Sequence, residues 1–531
     1  MSENGRRLGT WASLLKAAKS RRTLFVSLLS FSSGMPLGLV WFAIPDWMRD
    51  IGVDIRVVGL ITLAQAPWTF KFLWSPLMDR YVPPFLGRRR GWTAIAQVAL
   101  FVLTLMLAGV GDHPDSLWVV GALALAIAFA SATQDIAIDA YAVDVLRPAE
   151  QGVAVGARIA VYRAAMFVAG GLSITLAAAY SWSLVNIGLA LVYLPMLVIT
   201  WKAPEPEEKL VAPRTLRDAV WLPFLGFLSR HRALEILAFV FFYKFADQLA
   251  QSLTRPFLID MGYDAFDRGV ALASVGAVAT IVGAFFGGAV TTVIGLGPSL
   301  WVFGLLQAFS NIGYFILAGS EFSRPLMYGA TGFELLTSGM GTGAYSVLLL
   351  RMTQKRFSAT QYALFTSLFG LPRVLAGPIS GFLVHAMGWR IFFLFTIPCA
   401  IPGLVLLSRF VPLGVREPKF EVRPPSKLEP LSAKQLSFRG LLGGIAGATS
   451  ATLVVAALTA LTAMRAEGAS FDIVPPLAAL FHPAGIAGWL QLLGIGLFGL
   501  TCALLTAAVF AARRGAGAVV AEASPTNGAA R

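Results

Sequence analysis

The chain contains fourteen apolar runs, and each is long enough to cross the hydrocarbon core of a membrane as one helix, which takes about 20 residues. Hydrophobic residues make up 57% of the chain and charged residues only 13%, against about 25% charged residues in soluble domains. The runs are apolar on every face, whereas the strands of a membrane β-barrel alternate apolar and polar residues. The sequence therefore predicts an all-α membrane protein. We number the predicted spans 1 to 14, at 24–45, 58–78, 92–111, 117–141, 153–178, 183–201, 234–258, 270–292, 298–319, 325–349, 361–385, 391–411, 440–463 and 486–511.

Basic residues are distributed unevenly between alternate loops. The formal net charge of +14 would favour nucleic acid as a partner in a soluble protein. If the N-terminus is cytoplasmic, 29 Lys and Arg lie in cytoplasmic segments and six lie in the loops on the other side. Cytoplasmic loops of membrane proteins carry such an excess. We therefore expect both termini in the cytoplasm, a lipid bilayer around the chain and no nucleic-acid partner.

Polar segments divide the predicted spans into groups. A Pro- and Glu-rich stretch follows span 6, and a Pro- and Lys-rich stretch follows span 12. The predicted organisation is a cytoplasmic N-terminal segment (1–23), an N-terminal six-helix half (24–201), a cytoplasmic linker (202–233), a C-terminal six-helix half (234–411), a cytoplasmic connector (412–439), two additional transmembrane helices (440–511) and a low-complexity cytoplasmic tail (512–531).

The two halves share residues at a constant offset of 210 positions, among many mismatches. Internal repeats of this kind are typical of transporters built from duplicated halves. The matching sets are Asp50, Gly52, Asp54 and Gly59 with Asp260, Gly262, Asp264 and Gly269, and Gln151, Arg163 and Gly171 with Gln361, Arg373 and Gly381.

Few ionisable residues lie within the predicted spans, and ten of them are candidates for a transport pathway. Each costs about 2.5 to 3.5 kcal/mol at the centre of an inserted helix, so we expect these side chains to face a cavity or a partner instead of lipid. They are Lys71, Asp135, Asp139, Arg158, Arg163, Lys244, Asp247, Arg255, Glu334 and Arg373.

Asp135 and Asp139 in span 4 are spaced i and i+4, which places both carboxyl groups on one helix face. Two close, desolvated carboxyl groups favour holding a proton between them, and the pair is our first candidate for a proton-coupling site. A second interpretation stays open, in which one of these acids neutralises Arg158 or Arg163 in span 5. Glu334 in span 10 is a further proton-site candidate.

The buried cations are candidates for binding an anionic substrate. Lys71 and Lys244 are two of them, although Lys244 and Asp247 are spaced i and i+3 and can satisfy each other. Arg163 and Arg373 occupy equivalent places in the two halves. They either bind substrate or brace the halves against each other.

Several segments resemble the AmpG family of bacterial muropeptide permeases, which are major facilitators related to eukaryotic acetyl-CoA transporters. The resemblance covers residues 30 to 411 and implies proton-driven import of anhydro-muropeptides across a bacterial inner membrane. The segments are Phe31-Ser32-Ser33-Gly34-Met35-Pro36-Leu37, residues 70–80, residues 86–92, residues 131–140 with Gln134-Asp135-Ile136-Ala137-Ile138-Asp139, Tyr243-Lys244-Phe245-Ala246-Asp247, and residues 373–381.

The resemblance also implies roles for single residues. Asp79, with Arg80, Arg88 and Arg89, matches a cytoplasmic gating motif, in which the acid pairs with a helix terminus or an arginine when the cytoplasmic side is closed. The basic residues of this motif are equally expected from topology alone. Gly34 marks a kink or a close approach beside this machinery. Gln134 is expected to hydrogen-bond a substrate amide or hydroxyl, and Trp41 to stack on a sugar ring or to anchor the interface.

Other classes of function have less support in the sequence. We find no Walker loop and no cluster of metal ligands, and the sequence predicts neither a cofactor nor a metal. An enzyme such as a glycosyltransferase needs a polar catalytic region outside the bilayer, and the longest outer loop, 464–485, carries few polar groups. A drug/proton antiporter of the same fold is an alternative, as is a transporter of acetyl-CoA or another anionic solute.

Overall fold

The computed structural model describes residues 11–51, 62–110, 117–206, 212–421, 429, 431–467, 470–483 and 485–514, and every extended regular element in these ranges is a helix. The α-helices are α1 (Trp11–Ala18), α2 (Arg21–Gly38), α3 (Ile44–Asp50), α4 (Ala66–Phe70), α5 (Ser75–Arg80), α6 (Gly87–Ala108), α7 (Leu117–Val145), α8 (Pro148–Phe167), α9 (Ser173–Ala179), α10 (Trp182–Lys202), α11 (Leu216–Leu228), α12 (Ala233–Ser252), α13 (Thr254–Asp260), α14 (Ala265–Gly269), α15 (Gly276–Ile294), α16 (Leu296–Leu317), α17 (Arg324–Met352), α18 (Ser358–Thr396), α19 (Ile401–Phe410), α20 (Ala433–Glu467), α21 (Val474–Phe481) and α22 (Gly485–Arg513).

Three π-helical and four 3₁₀ segments interrupt or join these helices. π-Helical turns inside helices are often found at functional sites. The π-helical segments are Leu39–Ala43, Val168–Leu172 and Val270–Val275, and the 3₁₀ segments are Thr62–Gln65, Lys71–Leu73, Lys355–Phe357 and Pro398–Ala400.

Ten helical stretches in the described part of the chain are long and apolar enough to cross a membrane. Other predicted spans are broken or more polar. The described part of span 2, residues 62–78, consists of short helices because Pro67 and Pro76 each begin a new helical turn. Spans 11 and 12 meet in α18, which turns sharply at Gly388, where φ is 73° and only glycine adopts the backbone easily. The ten stretches are Arg21–Asp50, Gly87–Ala108, Trp118–Val145, Pro148–Ala179, Trp182–Lys202, Phe266–Ile294, Leu296–Leu317, Ile379–Thr396, Ala433–Leu461 and Gln491–Arg513.

The chain forms two compact units. The first contains residues 1–219 and 235–419, and the second contains residues 220–234 and 420–531. The predicted linker 202–233 is partly helical, since α11 lies within it, and its last residues belong to the second unit. In that unit α20 packs along α22, where Gly447 lies against Cys502.

The first unit has a separate hydrophobic core in each half. The core of the N-terminal half surrounds Trp47, Leu100 and Ile127, and that of the C-terminal half surrounds Phe257 and Tyr314. Separate cores allow each half to keep its own packing while the contacts between the halves change.

Small residues bring helices of the first unit into backbone contact. A Cβ atom on Gly34 of α2 would lie 2.2 Å from the carbonyl oxygen of Tyr162 in α8. One on Gly283 of α15 would lie 2.1 Å from the Leu336 carbonyl oxygen. Close backbone approach of this kind replaces large side chains at membrane helix interfaces.

The same kind of contact joins the two halves. Gly152 in α8 and Gly288 in α15 face each other, and a Cβ on Gly288 would lie 2.2 Å from the Gly152 carbonyl oxygen. A Cβ on Gly152 would in turn lie 2.4 Å from the Gly288 carbonyl oxygen. The halves therefore touch backbone to backbone along α8 and α15.

Candidate functional site

Asp79 lies at the end of α5 and contacts the other half of the bundle. Its carboxylate accepts hydrogen bonds from the backbone N–H groups of Ala359 (3.3 Å) and Thr360 (2.8 Å), and from the Thr360 hydroxyl (2.7 Å). These donors belong to the first turn of α18, where N–H groups lack partners within the helix and an anion is favoured. Asp79 is fully buried. A carboxylate of one half therefore caps a helix of the other.

Arg89 in α6 joins Asp79 to a second acid, Asp144. Its guanidinium donates to Asp79 at 2.6 Å, to Asp144 at 2.9 Å and to the Ser358 hydroxyl at 2.7 Å. The Ser358 hydroxyl donates to the other oxygen of Asp144 at 2.6 Å. All three charged side chains are at most 2% exposed, so the network is dry. We call Asp79, Arg89, Asp144, Ser358 and Thr360 the Asp79 cluster.

The other basic residues of this region have different surroundings. Arg88 donates to the backbone carbonyls of Lys355 and Arg356 in the other half, both at 3.4 Å. Arg80 makes a local contact, with its guanidinium 5.5 Å from the Tyr81 ring centroid. Contacts with the other half are thus made by Asp79, Arg88 and Arg89. Arg80 contacts its neighbour Tyr81 instead. Their role in gating remains a prediction.

Asp139 in α7 forms ion pairs with two cations of its own half. Lys71 Nζ lies 3.3 Å from one carboxylate oxygen, and Arg158 pairs with the other. One of the two open interpretations of Asp139, neutralisation of Arg158, is therefore present in the structure. Tyr362, from α18 of the other half, also interacts with Arg158. Both oxygens of Asp139 are occupied by these two cations.

Asp135 lies one turn away from Asp139 and forms no ion pair with a described residue. The Ser33 hydroxyl donates to it, and Lys71 and Arg158 act on it electrostatically from a greater distance. The residue as a whole is 8% exposed. Asp135, Asp139, Lys71 and Arg158 sum to zero charge when both acids are ionised. A proton on Asp135 gives the group a charge of +1.

Gln134 faces away from these acids, into the interior of the N-terminal half. It is fully buried, and its amide donates to the Ser32 hydroxyl at 3.2 Å. Gln97 of α6 donates to the same hydroxyl at 3.1 Å. The Gln134 carbonyl oxygen has no donor among the described residues. The structure therefore shows Gln134 in contact with α2. Its contact with a substrate stays a prediction.

Arg163 and Arg373, the equivalent arginines of the two halves, lie near each other. Each acts on the other as a like charge, and Tyr162 interacts with both. The Arg373 guanidinium stands 4.9 Å from the Trp41 ring centroid. Within the described part of the chain neither arginine forms an ion pair. Two like charges repel, so the pair does not by itself hold the halves together, and the two roles predicted for it, binding substrate or bracing the halves, stay predictions.

Trp41 forms the aromatic side of the same region. It lies on the π-helical segment Leu39–Ala43 and meets Trp68 edge to face, with ring centroids 6.3 Å apart. The indole N–H groups of both tryptophans are buried and have no acceptor among the described residues. The aromatic rings of Trp41 and Trp68, and their indole N–H groups, therefore lie near Arg373. We call Arg163, Arg373, Trp41, Trp68 and Tyr162 the arginine–tryptophan region.

A third group of polar side chains is buried inside the C-terminal half. Lys244 pairs with Asp247 at 2.9 Å, as the spacing predicted, and Glu334 accepts a hydrogen bond from Gln251 at 2.8 Å. Lys244 is therefore bound within its own half in this structure. We call the group the Lys244 cluster, consisting of Lys244, Asp247, Gln251, Gln307, Glu334 and Ser338.

Sequence reasoning missed several members of these groups. Asp144 carried a signal, since it is an acid at the end of an apolar helix and topology does not require one there. Ser33, Ser358 and Thr360 carried none, because hydroxyl side chains are common in membrane helices and only the fold brings these to a carboxylate. In the described residues no group of His, Cys, Asp and Glu is arranged to hold a metal ion.

Comparison with known proteins agrees with this geometry. Residues 26–377 match the profile of the Major Facilitator Superfamily. The chain belongs to this superfamily. Within it the chain is 40% identical over 395 residues to the anhydromuropeptide permease of Escherichia coli (strain K12), a match that covers 74% of this chain and 80% of the relative. It therefore also belongs to the AmpG family and is a multi-pass membrane transporter, not an enzyme.

Two other relatives extend the comparison. An uncharacterised protein of Haemophilus influenzae is 36% identical over 406 residues, covering 74% of this chain and 95% of the relative. A protein of Rickettsia felis named putative transporter AmpG 4 is 30% identical over 404 residues, covering 74% of this chain and 97% of the relative.

Solved structures share the major facilitator fold at low sequence identity. The human organic anion transporter MFSD10 aligns with a TM-score of 0.55 and 12% identity, over 73% of this chain and 99% of the other. A bacterial homologue of ferroportin in an outward-facing state aligns with a TM-score of 0.53 and 15% identity, over 73% of this chain and 98% of the other. At these identities the likeness concerns the fold alone.

Proposed function

We propose that this transporter imports anhydro-muropeptides, that is GlcNAc-anhydro-MurNAc and its peptides, by proton symport during cell-wall recycling. The observation that carries the proposal is the arginine–tryptophan region, in which two arginines between the halves of an AmpG family member form no ion pair with any described residue. The relative from Escherichia coli bears the name anhydromuropeptide permease. A muropeptide offers both a carboxylate and sugar rings to such a region.

Each part of this ligand has a fitting partner in the region. A carboxylate placed between Arg163 and Arg373 would accept charge-assisted hydrogen bonds from both halves, and these are the stronger kind of hydrogen bond. Sugar rings stack on aromatic faces, and the free indole N–H groups of Trp41 and Trp68 can donate to sugar oxygens. An anion at this place would draw the halves together from both sides.

Asp135 is the proposed proton carrier of the N-terminal half. Asp139 is held by Lys71 and Arg158, while Asp135 accepts a hydrogen bond only from Ser33 among the described residues. A proton on Asp135 adds a positive charge beside Tyr162, which interacts with both Asp135 and Arg163. Protonation thereby favours an anion in the arginine–tryptophan region. Each net charge moved inward gains about 2.3 kcal/mol per 100 mV of membrane potential.

The Asp79 cluster is the proposed cytoplasmic gate. The proposal follows from the excess of basic residues on this side, which is typical of cytoplasmic loops, and it implies that both termini are cytoplasmic in a bacterial inner membrane. The contacts of the cluster between the halves support this proposal, since a closed gate requires such contacts. We further propose fourteen membrane spans with the domain boundaries given above, and protons and muropeptides as the transported partners without a role for nucleic acid.

The decisive experiment measures uptake into proteoliposomes that contain the purified protein. Radiolabelled GlcNAc-anhydro-MurNAc is offered with and without an inward proton gradient, and Asp135→Asn is compared with the wild type. We expect gradient-dependent uptake that Asp135→Asn abolishes while exchange of labelled for unlabelled sugar persists. Gradient-dependent uptake that survives in the variant would contradict the role of Asp135.

A parallel assay with acetyl-CoA tests the alternative substrate. Its phosphates also suit a pair of arginines, and acetyl-CoA transporters resemble the AmpG family. Uptake of acetyl-CoA without uptake of the muropeptide would overturn the proposed substrate and keep the anion site.

A further inference from the structure

The Lys244 cluster contains more acids than cations. Lys244 and Asp247 come from α12 and Glu334 from α17, and their exposed fractions are 1%, 3% and 0%. One ammonium group thus shares a dry site with two carboxyl groups. The cluster is electrically neutral only when one of the two acids is protonated, in contrast to the Asp135 region, which is neutral with both acids ionised.

The ammonium group of Lys244 has no donor left for Glu334. A lysine ammonium has three N–H donors. Those of Lys244 are used by Asp247 Oδ2 at 2.9 Å, the Ser338 carbonyl oxygen at 3.0 Å and the Gln307 side-chain oxygen. Glu334 is therefore not neutralised by the cation of its own cluster.

Each acid keeps one oxygen without a donor. Asp247 Oδ2 also accepts from the Ser338 hydroxyl at 2.8 Å, and Glu334 Oε1 accepts from Gln251 at 2.8 Å. Asp247 Oδ1 and Glu334 Oε2 are buried and have no hydrogen-bond donor among the described residues. The two carboxyl groups interact directly with each other. A single proton makes one of them a donor to the other and satisfies both.

The other groups around Asp247 and Glu334 do not supply the positive charge that would neutralise the second acid. Tyr314 of α16 faces Glu334, and Tyr243 of α12 faces Asp247. Phenol groups are neutral at physiological pH, so neither tyrosine replaces the missing cation. α15, which also packs against α17, contains no titratable residue. Lys244 is the one cation of the cluster, and its ion pair is with Asp247.

We propose that Asp247 and Glu334 form a second proton site, which holds one proton between two carboxyl groups and exchanges it once in each transport cycle. The transporter then carries two protons for each substrate, one on Asp135 and one in the Lys244 cluster. Gln251 gives this site a route to water, because its side chain is partly exposed and it donates to Glu334. The coupling part of the proposal rests on the proposed function, whereas the site itself rests on the cluster.

The test compares Glu334→Gln with the wild type. The glutamine amide keeps the shape of the protonated acid and donates to Asp247 in place of the proton, so we expect the variant to fold. Glu321→Gln is the matched control, since Glu321 is an exposed acid just before the same helix. The first readout is the number of protons released when purified protein is moved from about pH 5 to about pH 9, a range in which an ordinary carboxyl group is already ionised.

The expected release is one proton fewer from Glu334→Gln than from the wild type, with no change for Glu321→Gln. The second readout is the ratio of protons to substrate, obtained from the membrane potential at which net uptake reverses in proteoliposomes. We expect a ratio of two for the wild type and one for Glu334→Gln. Equal proton release from wild type and Glu334→Gln would overturn the site, and an equal ratio would overturn its role in coupling. Release that differs by one proton in a protein that takes up no muropeptide would support the site and count against the proposed substrate.

Discussion

Thr360 donates both its backbone N–H and its hydroxyl to the same carboxylate oxygen of Asp79, at 2.8 and 2.7 Å, and so ties the first turn of α18 to the other half of the protein. The same carboxyl group pairs with Arg89 at 2.6 Å through its second oxygen. Asp79 therefore serves as the counter-charge of an arginine and as the cap of a helix in the other half. Its loss affects two elements together.

Asp79→Asn should open the cytoplasmic gate. The neutral amide leaves Arg89 with a single buried acid, and removing one partner of a buried ion pair costs about 3 to 5 kcal/mol. The Arg89 pair lies within the N-terminal half, whereas the hydrogen bonds from Ala359 and Thr360 to Asp79 cross between the halves, so it is the weakening of these bonds that should open the gate. We expect faster thiol labelling of a cysteine introduced at Ala363 from the cytoplasmic side, and a loss of concentrative uptake. Glu205→Gln is the control, since this acid pairs with Arg90 but is 66% exposed. Unchanged labelling in Asp79→Asn would contradict the proposed gate.

Asp139→Asn and Asp135→Asn should differ in their effect on stability. Asp139 holds both Lys71 and Arg158, so its neutralisation leaves two buried cations with weakened partners and should cost about 3 to 5 kcal/mol. Asp135→Asn removes no ion pair and should leave the melting temperature close to that of the wild type. Thermal unfolding of both purified variants in the same detergent checks this difference. Similar melting temperatures for the two variants would show that Asp139 is not the structural acid.

Replacing either arginine of the arginine–tryptophan region should weaken binding of anionic substrates. A hydrogen bond to a charged group contributes about 1.5 to 3 kcal/mol, so Arg373→Gln should raise the KM for GlcNAc-anhydro-MurNAc by roughly 10- to 100-fold. A substrate analogue with an amide in place of the carboxylate should be transported equally by variant and wild type. Arg390→Gln is the control, because Arg390 also stacks on an aromatic ring, Phe315, away from Trp41. An equal KM increase for the amide analogue would argue for a structural role.

Gly34→Ala should destabilise the N-terminal half. The added Cβ would lie 2.2 Å from the Tyr162 carbonyl oxygen, and the separation of α2 from α8 that relieves this clash should cost about 1 to 3 kcal/mol. Gly188→Ala is the matched control, because nothing lies within 4 Å of a Cβ at this position. A lower melting temperature for Gly34→Ala alone is expected in thermal unfolding. Equal melting temperatures would show that α2 can move away from α8 at little cost.

The fold class and much of the helical framework can be predicted from the sequence because lipid imposes a simple rule of length and hydropathy on each span. The exceptions have local causes. Span 2 is broken by Pro67 and Pro76, while α11 forms in a stretch that is too polar and too short to read as a span. The ionisable residues could also be identified, since each is costly in lipid.

The partners of these residues could not be predicted, because they come from distant parts of the chain. Asp79 and Thr360 are 281 positions apart, and Gln251 reaches Glu334 across 83 positions. The charge balance of a buried cluster could not be predicted either, because its members come together only in the folded protein. The spacing of Lys244 and Asp247 predicted their ion pair, yet it gave no indication that Glu334 would join them without a cation of its own.

The contact between Gly152 and Gly288 gives the two halves a fixed fulcrum. Because both residues lack side chains, the main chains of α8 and α15 meet directly, with the Thr292 hydroxyl also beside Gly152. The halves can tilt about this point but cannot move closer together there. The distance of the Asp79 cluster from Gly152 and Gly288 therefore sets how far the proposed gate opens for a given tilt, and a bulky residue at either glycine would push α8 and α15 apart.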